Sequence, residues 1–270
     1  MVIPLPEATR ASCGGKAATL AVLLRAGLPV PDGFVVPFGS GAAVGSASPL
    51  LDEVARELER MGDPVVAVRS SAADEDTAGA SAAGQYESIL GVRGASEVCD
   101  AIAACRKSAR SHRVTDYRNR TGASRTAPDM AVIVQRMVDA DVSGVMFTPE
   151  HAGGSTRVEA SWGLGLNVVG GTVTPDTYEV TPDGTIRYSI GRKDTRADAG
   201  NGGVTTSTVS KAARTARALD NDAVASLAVF GSRIAALLGA PQDVEWAISD
   251  GRVHILQARP ITAPLPPLTS

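Results

Sequence analysis

The sequence predicts a mixed α+β fold in two lobes. Three observations carry that reading. Stretches with helical spacing alternate along the chain with short apolar, strand-like runs. The 270 residues, 44% hydrophobic and 20% charged, suffice for one large domain or two lobes with real cores. A break near Ala127-Pro128 divides the pattern into residues 1–127 and 128–262, with a short tail, 263–270.

In order along the chain, Ser12-Cys13-Gly14-Gly15-Lys16 precedes Ala17–Ala26, where Leu20, Leu23 and Leu24 form one helical stripe. A Gly-Gly turn thus feeds a helix with Lys16 in its first turn. Free amides and the positive helix end there favour an anion. The GxxxxGK[ST] spacing of a Walker A loop is absent. The plainer alternative is a surface lysine on a capped helix. Gly33–Val36 reads as a short strand, Gly39–Ser48 as a loop and Pro49–Met61 as an amphipathic helix. Val65–Val68 is a buried strand that ends in Arg69-Ser70-Ser71, a phosphate clamp or a strand-end ion pair. Ala72–Gly84 is rich in small residues and reads as a mobile loop, of the kind that closes over a nucleotide or merely lies on the surface. Gln85–Val92 returns to a strand, and Ser96–Tyr117 is a helix carrying Cys99 and Cys105. Arg106, Lys107, Arg110, Arg113, Arg118 and Arg120 read as a solvated basic face.

Beyond the break, Met130–Val134 and Ser143–Thr148 read as strands that pair across Asp139–Val142. Arg157–Ala160 is a third strand, and Trp162–Gly165 a glycine-rich turn. Val168–Thr174, Thr177–Val180 and Tyr188–Lys193 read as further strand, and Ala197–Val209 as loose chain. Asp222–Leu238 is an amphipathic helix stopped by Gly239-Ala240-Pro241.

The last strands hold most of the chemistry. Val244, Trp246 and Ile248 alternate with Asp243, Glu245 and Ala247, and a second run ends in Gln257, Arg259 and Pro260. If Asp250-Gly251 alone turned the chain, Glu245 would pair with Leu256 and Gln257 would leave that face. If Ser249-Asp250-Gly251 is a three-residue loop with Gly251 left-handed, Asp243 pairs with Gln257. We favour the second, which puts Asp243, Glu245, Gln257 and Arg259 on one face and His254 on the other. Two acids, an amide and a guanidinium suit a divalent metal carrying a polyphosphate. A half-exposed hairpin with its polar residues facing water is the plainer alternative.

The net charge of −3 creates no strong field for nucleic acid or a membrane, so any phosphate site must be local. The N-terminus lacks the basic start and long apolar run of a signal peptide. No apolar stretch approaches the roughly 20 residues that span a bilayer. Cys13, Cys99 and Cys105 have no metal spacing and read as reduced thiols, so a cytoplasmic protein is expected.

Six ordered blocks resemble the nucleotide-binding domain of the pyruvate phosphate dikinase and phosphoenolpyruvate synthase superfamily, which rifampicin phosphotransferases also carry. They are GGKAATLAVLLRAGLPVPDGFVV, VAVRSSAADED, AGQYESILGV, IVQRMVDADVSGVMFT, EASWGLGLNVVGGTVTPDTYEV and QDVEWAISDGRVHILQARPIT. The resemblance implies an ATP-grasp fold, two α/β lobes with the nucleotide cleft between their sheets. It implies that Lys16 and Arg69 contact phosphates. Gln135, Met137 and Val138 would lie beside adenine, with main-chain groups reading its edge. Asp243, Glu245 and Gln257 would hold Mg²⁺, and Arg259 would stabilise the transferred group. In such enzymes ATP pyrophosphorylates a histidine on a separate domain, and AMP and phosphate leave as the acceptor is phosphorylated. His112, His151 and His254 all lack the carrier histidine's glycine-rich setting. A separate carrier protein or domain and an acceptor-binding one are therefore expected partners. The Met1 start favours a stand-alone subunit over an excised domain. Where relatives tend to read WGLGE, this chain has Leu166, and Glu159 is the candidate substitute for the lost acid. The rival readings are an ATP-grasp ligase that forms an acyl phosphate and a non-catalytic nucleotide sensor.

Overall fold

The computed structural model describes residues 1–40, 49–72, 88–120, 130–151, 153–200 and 203–261, the side chains of 109–120 excepted. The chain divides into two compact units, Met1–Asp139 with Asp198–Thr205, and Ala140–Ala197 with Thr206–Ser270. The break expected at Ala127-Pro128 and most of the expected mobile loop lie outside the described residues.

The first unit is built from β1 (Ile3–Pro4), α1 (Arg10–Arg25), β2 (Gly33–Val36), α2 (Pro49–Arg60), β3 (Val66–Ser71), β4 (Ser88–Val92), α3 (Ala95–Arg120) and β5 (Ala131–Arg136). Its sheet runs β1-β2-β5-β3-β4, every neighbour antiparallel. Strand alternation splits the apolar residues between two faces. Val132 and Val134 of β5 join Val66 and Val68 of β3 in a core with Val54 and Leu58 of α2 and Val98, Ile102 and Cys105 of α3. On this pattern Ile133 and Gln135 point to the other face, against which α1 packs. The basic run on α3 is not wholly solvated, as the sequence had suggested. Arg106 is buried and donates to the main-chain oxygens of Met130, Ser40 and Pro37 and to Ser40 Oγ. A buried guanidinium must satisfy its donors, and these carbonyls do so.

The second unit holds β6 (Val142–Phe147), β7 (Thr156–Trp162), α4 (Leu166–Val169), β8 (Asp176–Val180), β9 (Ile186–Ser189), α5 (Lys211–Arg214), α6 (Asn221–Leu238), β12 (Gln242–Ser249) and β13 (Arg252–Pro260). Its sheet order is β13-β12-β6-β7-β8-β9. A separate two-stranded sheet pairs β10 (Thr195–Gly200) with β11 (Gly203–Thr208), where loose chain was expected. Thr and Val within that stretch outweigh its glycines. Val168–Thr174 is not strand. Leu166–Val169 forms a short helix closed by Gly170, followed by turn. The expected pairing of β5 with β6 does not occur. Both edges of β5 are occupied by β2 and β3, and both edges of β6 by β12 and β7.

By length and composition alone α6 could cross a bilayer. It instead lays Val224, Leu227, Gly231 and Ile234 on one face of the six-stranded sheet. Gly231 lets Met146 approach, and Gly239 ends the helix in the left-handed conformation at φ 74°. A buried polar hub ties the unit together elsewhere. Lys193 pairs with Asp176, and both are almost fully buried. Asp176 also accepts from the amides of Gly191 at 2.9 Å and Ala218 at 2.7 Å and from the Tyr178 hydroxyl. Asp176 therefore serves a structural junction.

Candidate functional site

In the second unit the polar residues of β12 and β13 do share one face, by a different route from the one expected. Asp250 (φ 50°) and Gly251 (φ 71°) are both left-handed, and Ser249 pairs with Arg252. This is the two-residue turn whose twist suits a hairpin, so the three-residue loop is corrected. Left alone, that turn would have sent Gln257 to the opposite face. A β-bulge intervenes: Trp246 pairs with Ile255, but Glu245 pairs with Gln257 and Asp243 with Arg259, leaving Leu256 as the extra residue. The expected pairing of Asp243 with Gln257 is therefore also corrected. So is the place of His254, which pairs with Ala247 and shares the face of Glu245 and Asp243.

The ladder carries this face across the sheet. One row runs Gln257, Glu245, Val145, Glu159, Thr177, and the next Arg259, Asp243, Phe147, Arg157, Glu179. The opposite face carries Val244, Met146, Val158 and Tyr178, all buried. Arg259 donates through Nε at 2.9 Å and through a terminal nitrogen at 2.6 Å to one oxygen of Asp243. Burial nevertheless holds the Asp243 carboxyl above its ordinary pKa, Arg259 opposing the shift and Glu245 adding to it. The Glu159 carboxyl is likewise raised, first by burial, with Arg157 opposing and Asp243 contributing. Crowded, partly desolvated acids of this kind are relieved by a cation.

Gln257 is 9% exposed, and its amide makes no hydrogen bond among the described residues. An oxygen donor beside Glu245 with no protein partner fits a hard cation. Among the described residues no three His, Cys, Asp or Glu side chains cluster so as to hold a metal by themselves. Mg²⁺ does not require such a cage. It is commonly held by one or two carboxylates and completed by substrate phosphates.

The first unit assembles the other candidates on the α1 face of its sheet. Arg69 lies opposite Ile133, and Ala67 opposite Gln135, so Arg69 and Gln135 point to the same side. Gly14 breaks α1 with φ 81° and ψ 176°, a conformation close to glycine-only. A Cβ there would lie 2.6 Å from the Ser71 carbonyl oxygen. Gly15 N–H donates to Ala72 O at 3.0 Å and Ala17 N–H to Ser71 Oγ at 3.2 Å. These bonds hold the Gly15–Ala17 backbone at the end of β3. They also correct two expectations. The helix amides flanking Lys16 are not free for an anion, and the Ser70 and Ser71 hydroxyls are buried within the protein.

Gln135 is buried and donates to Pro31 O at 3.3 Å, which makes it a brace for the strand end. Met137 N–H is used by Val65 O. Among the described residues no main-chain bond engages the Met137 carbonyl or the Val138 amide, an acceptor and a donor in series. Leu166 is 43% exposed on α4 and offers no polar group. Glu159, the candidate substitute for an acid at 166, lies on this face opposite Val145, one strand from Glu245.

Both units are mixed helix-and-sheet structures built on antiparallel sheets. Residues 42–264 match the model of the pyruvate phosphate dikinase AMP/ATP-binding domain, and the chain belongs to that family. It is 36% identical over 299 residues to a probable phosphoenolpyruvate synthase of Methanothermobacter thermautotrophicus, covering 92% of this chain and 44% of the relative. It is 38% identical over 229 residues to a rifampicin phosphotransferase of a Streptomyces species, covering 82% of this chain and 26% of the relative. The chain thus spans less than half of these curated relatives. Among solved structures it resembles the D-alanine-D-alanine ligase of Coxiella burnetii at 13% identity and a TM-score of 0.39, covering 91% of this chain and 47% of that one.

Proposed function

We propose that this chain binds ATP·Mg²⁺ and acts as the nucleotide-binding part of a dikinase-type phosphotransferase. In this reading Glu245 and Gln257, with Asp243, hold the Mg²⁺ that ATP brings. The metal supplies charge neutralisation at the phosphates. Lys16 and Arg69 bind phosphate oxygens, and Arg259 stabilises negative charge on the group transferred. The Asp243 carboxylate fixes the Arg259 fork in place. Met137 O and Val138 N–H offer the acceptor and donor that an adenine edge requires. The single observation that carries the reading is the bulged hairpin, which brings Asp243, Glu245, Gln257 and Arg259 onto one face.

The phosphoryl acceptor is a histidine on a separate carrier protein or domain, and an acceptor-binding protein or domain completes the cycle. Incubation with ATP·Mg²⁺, with and without candidate histidine-bearing proteins, tests this. AMP and phosphate should form at appreciable rate only when a carrier and acceptor are present. Robust AMP release by this chain alone would overturn the carrier requirement. ADP as the sole product would favour an acyl-phosphate ligase.

A further inference from the structure

The helix α6 has an outer face as regular as its inner one. Val224, Leu227, Gly231 and Ile234 are its buried residues. At the pitch of an α-helix the opposite side collects Ala225, Ser226, Val229, Ser232, Ala236 and Leu237, all exposed. Val229 is 60% and Leu237 43% exposed. The Ser232 hydroxyl turns back to donate to Ala228 O at 3.0 Å, so it lies against the helix itself. A helix face in water normally carries charged and polar side chains along its length. This face carries two charges, Asp222 in the first turn and Arg233 eleven residues later. Eleven residues are close to three full turns, so Asp222, Ser226, Val229 and Arg233 form one stripe. Among the described residues neither charged side chain makes an ion pair or a hydrogen bond. The helix dipole accounts for an acid in the first turn, but not for the apolar and small residues between the two charges.

Reversed end for end, this stripe is complementary to itself. Let a second copy of α6 lie antiparallel to the first, with the midpoint level with Leu227 and Ala228. Asp222 of each helix then comes opposite Arg233 of the other, and Val229 opposite Ser226. Ala225 and Ser226 are small enough to leave room for the facing Val229 side chain. Such a contact is isologous, the kind that a twofold axis closes into a dimer. Helices that cross about 20° from antiparallel stay in contact over this length. One pair of helices is a small interface, so the association should be weak.

We propose that the outer face of α6 is the surface through which two copies of this chain form a dimer. The opposite charges at matching positions select a second copy over a membrane or an unrelated protein. The inference stands apart from the ATP reading, and its test needs no nucleotide. Sedimentation velocity of the whole chain from about 1 to 300 μM should show a monomer–dimer equilibrium with a Kd on the order of 10–100 μM. Val229→Glu should weaken it at least about tenfold, by bringing two carboxylates to the middle of the contact. Asp222→Arg and Arg233→Asp should each weaken it at least about threefold, because like charges then face each other at both ends. The double exchange Asp222→Arg with Arg233→Asp should return to within about twofold of wild type, since both pairs re-form with their signs exchanged. All three positions are exposed, so circular dichroism should show each variant folded. A chain that stays monomeric over the whole range would overturn the proposal, and binding of that monomer to phosphatidylglycerol vesicles would assign the face to a membrane instead. A dimer untouched by Val229→Glu, or one that the double exchange fails to recover, would overturn it as well.

Discussion

Asp243 shows the tension at the site in a single residue. Its carboxyl is drawn up by burial and by Glu245, and held down by the two-pronged bond from Arg259. Removing the guanidinium leaves a partly buried acid with a like-charged neighbour. Arg259→Ala should therefore lower stability by about 1–2 kcal/mol, a modest figure because Arg259 is partly exposed. Any AMP-forming activity with partners should be lost as well. Urea unfolding and product assay check the two effects separately. His254 sets a pH dependence of opposite origin. Its folded-state pKa lies below the unfolded value, so its stabilising contribution is present above the unfolded pKa and is lost as pH falls through the folded one. Between neutral and mildly acidic pH, wild type should lose more stability than His254→Gln. Equal loss in both would show that the ring does not titrate as its surroundings require.

Elements place these residues, and glycines and one buried pair fix the elements. Gly14→Ala would force a Cβ against the Ser71 and Ala72 carbonyls at a φ that side chains avoid. It should cost about 1–3 kcal/mol and weaken ATP binding by shifting Lys16. Thermal unfolding and ATP titration read both changes. Lys193→Met strands the buried Asp176 carboxylate with only its amide and hydroxyl donors. It should destabilise the protein by about 3–5 kcal/mol, seen as a lower urea midpoint, since a buried charge loses its counter-ion. These elements also show what was legible beforehand. The helices α1, α2, α3 and α6 and the strands β7 and β12 could be read from the spacing of their apolar residues, and β3 from its continuous apolar run. The bulge could not, since alternation on β13 looks unbroken until the partner strand supplies the count. The sheet partners of β5 were equally hidden, because pairing is decided by which edges remain open in three dimensions. The Lys193–Asp176 pair joins a loop residue to the first residue of β8, which no local pattern connects. The four polar side chains of the hairpin do share one face, although the turn that was to unite them was wrong and a bulge unites them instead.

For the molecule as a whole, each unit gathers its candidate residues on one face of its own sheet: Arg69 and Gln135 in the first, Asp243, Glu245, Gln257 and Arg259 in the second. Membership in the pyruvate phosphate dikinase AMP/ATP-binding family agrees with that chemistry. The central claim is that ATP is held through Mg²⁺ on Glu245 and Gln257. Calorimetric titration of ATP into wild type and Glu245→Gln, each with Mg²⁺ and with a chelator, tests it most directly. The account predicts that wild type binds ATP at least about tenfold more tightly with Mg²⁺ than without, and that Glu245→Gln abolishes this difference. ATP binding that ignores Mg²⁺, or an Mg²⁺ effect that survives in Glu245→Gln, would contradict it.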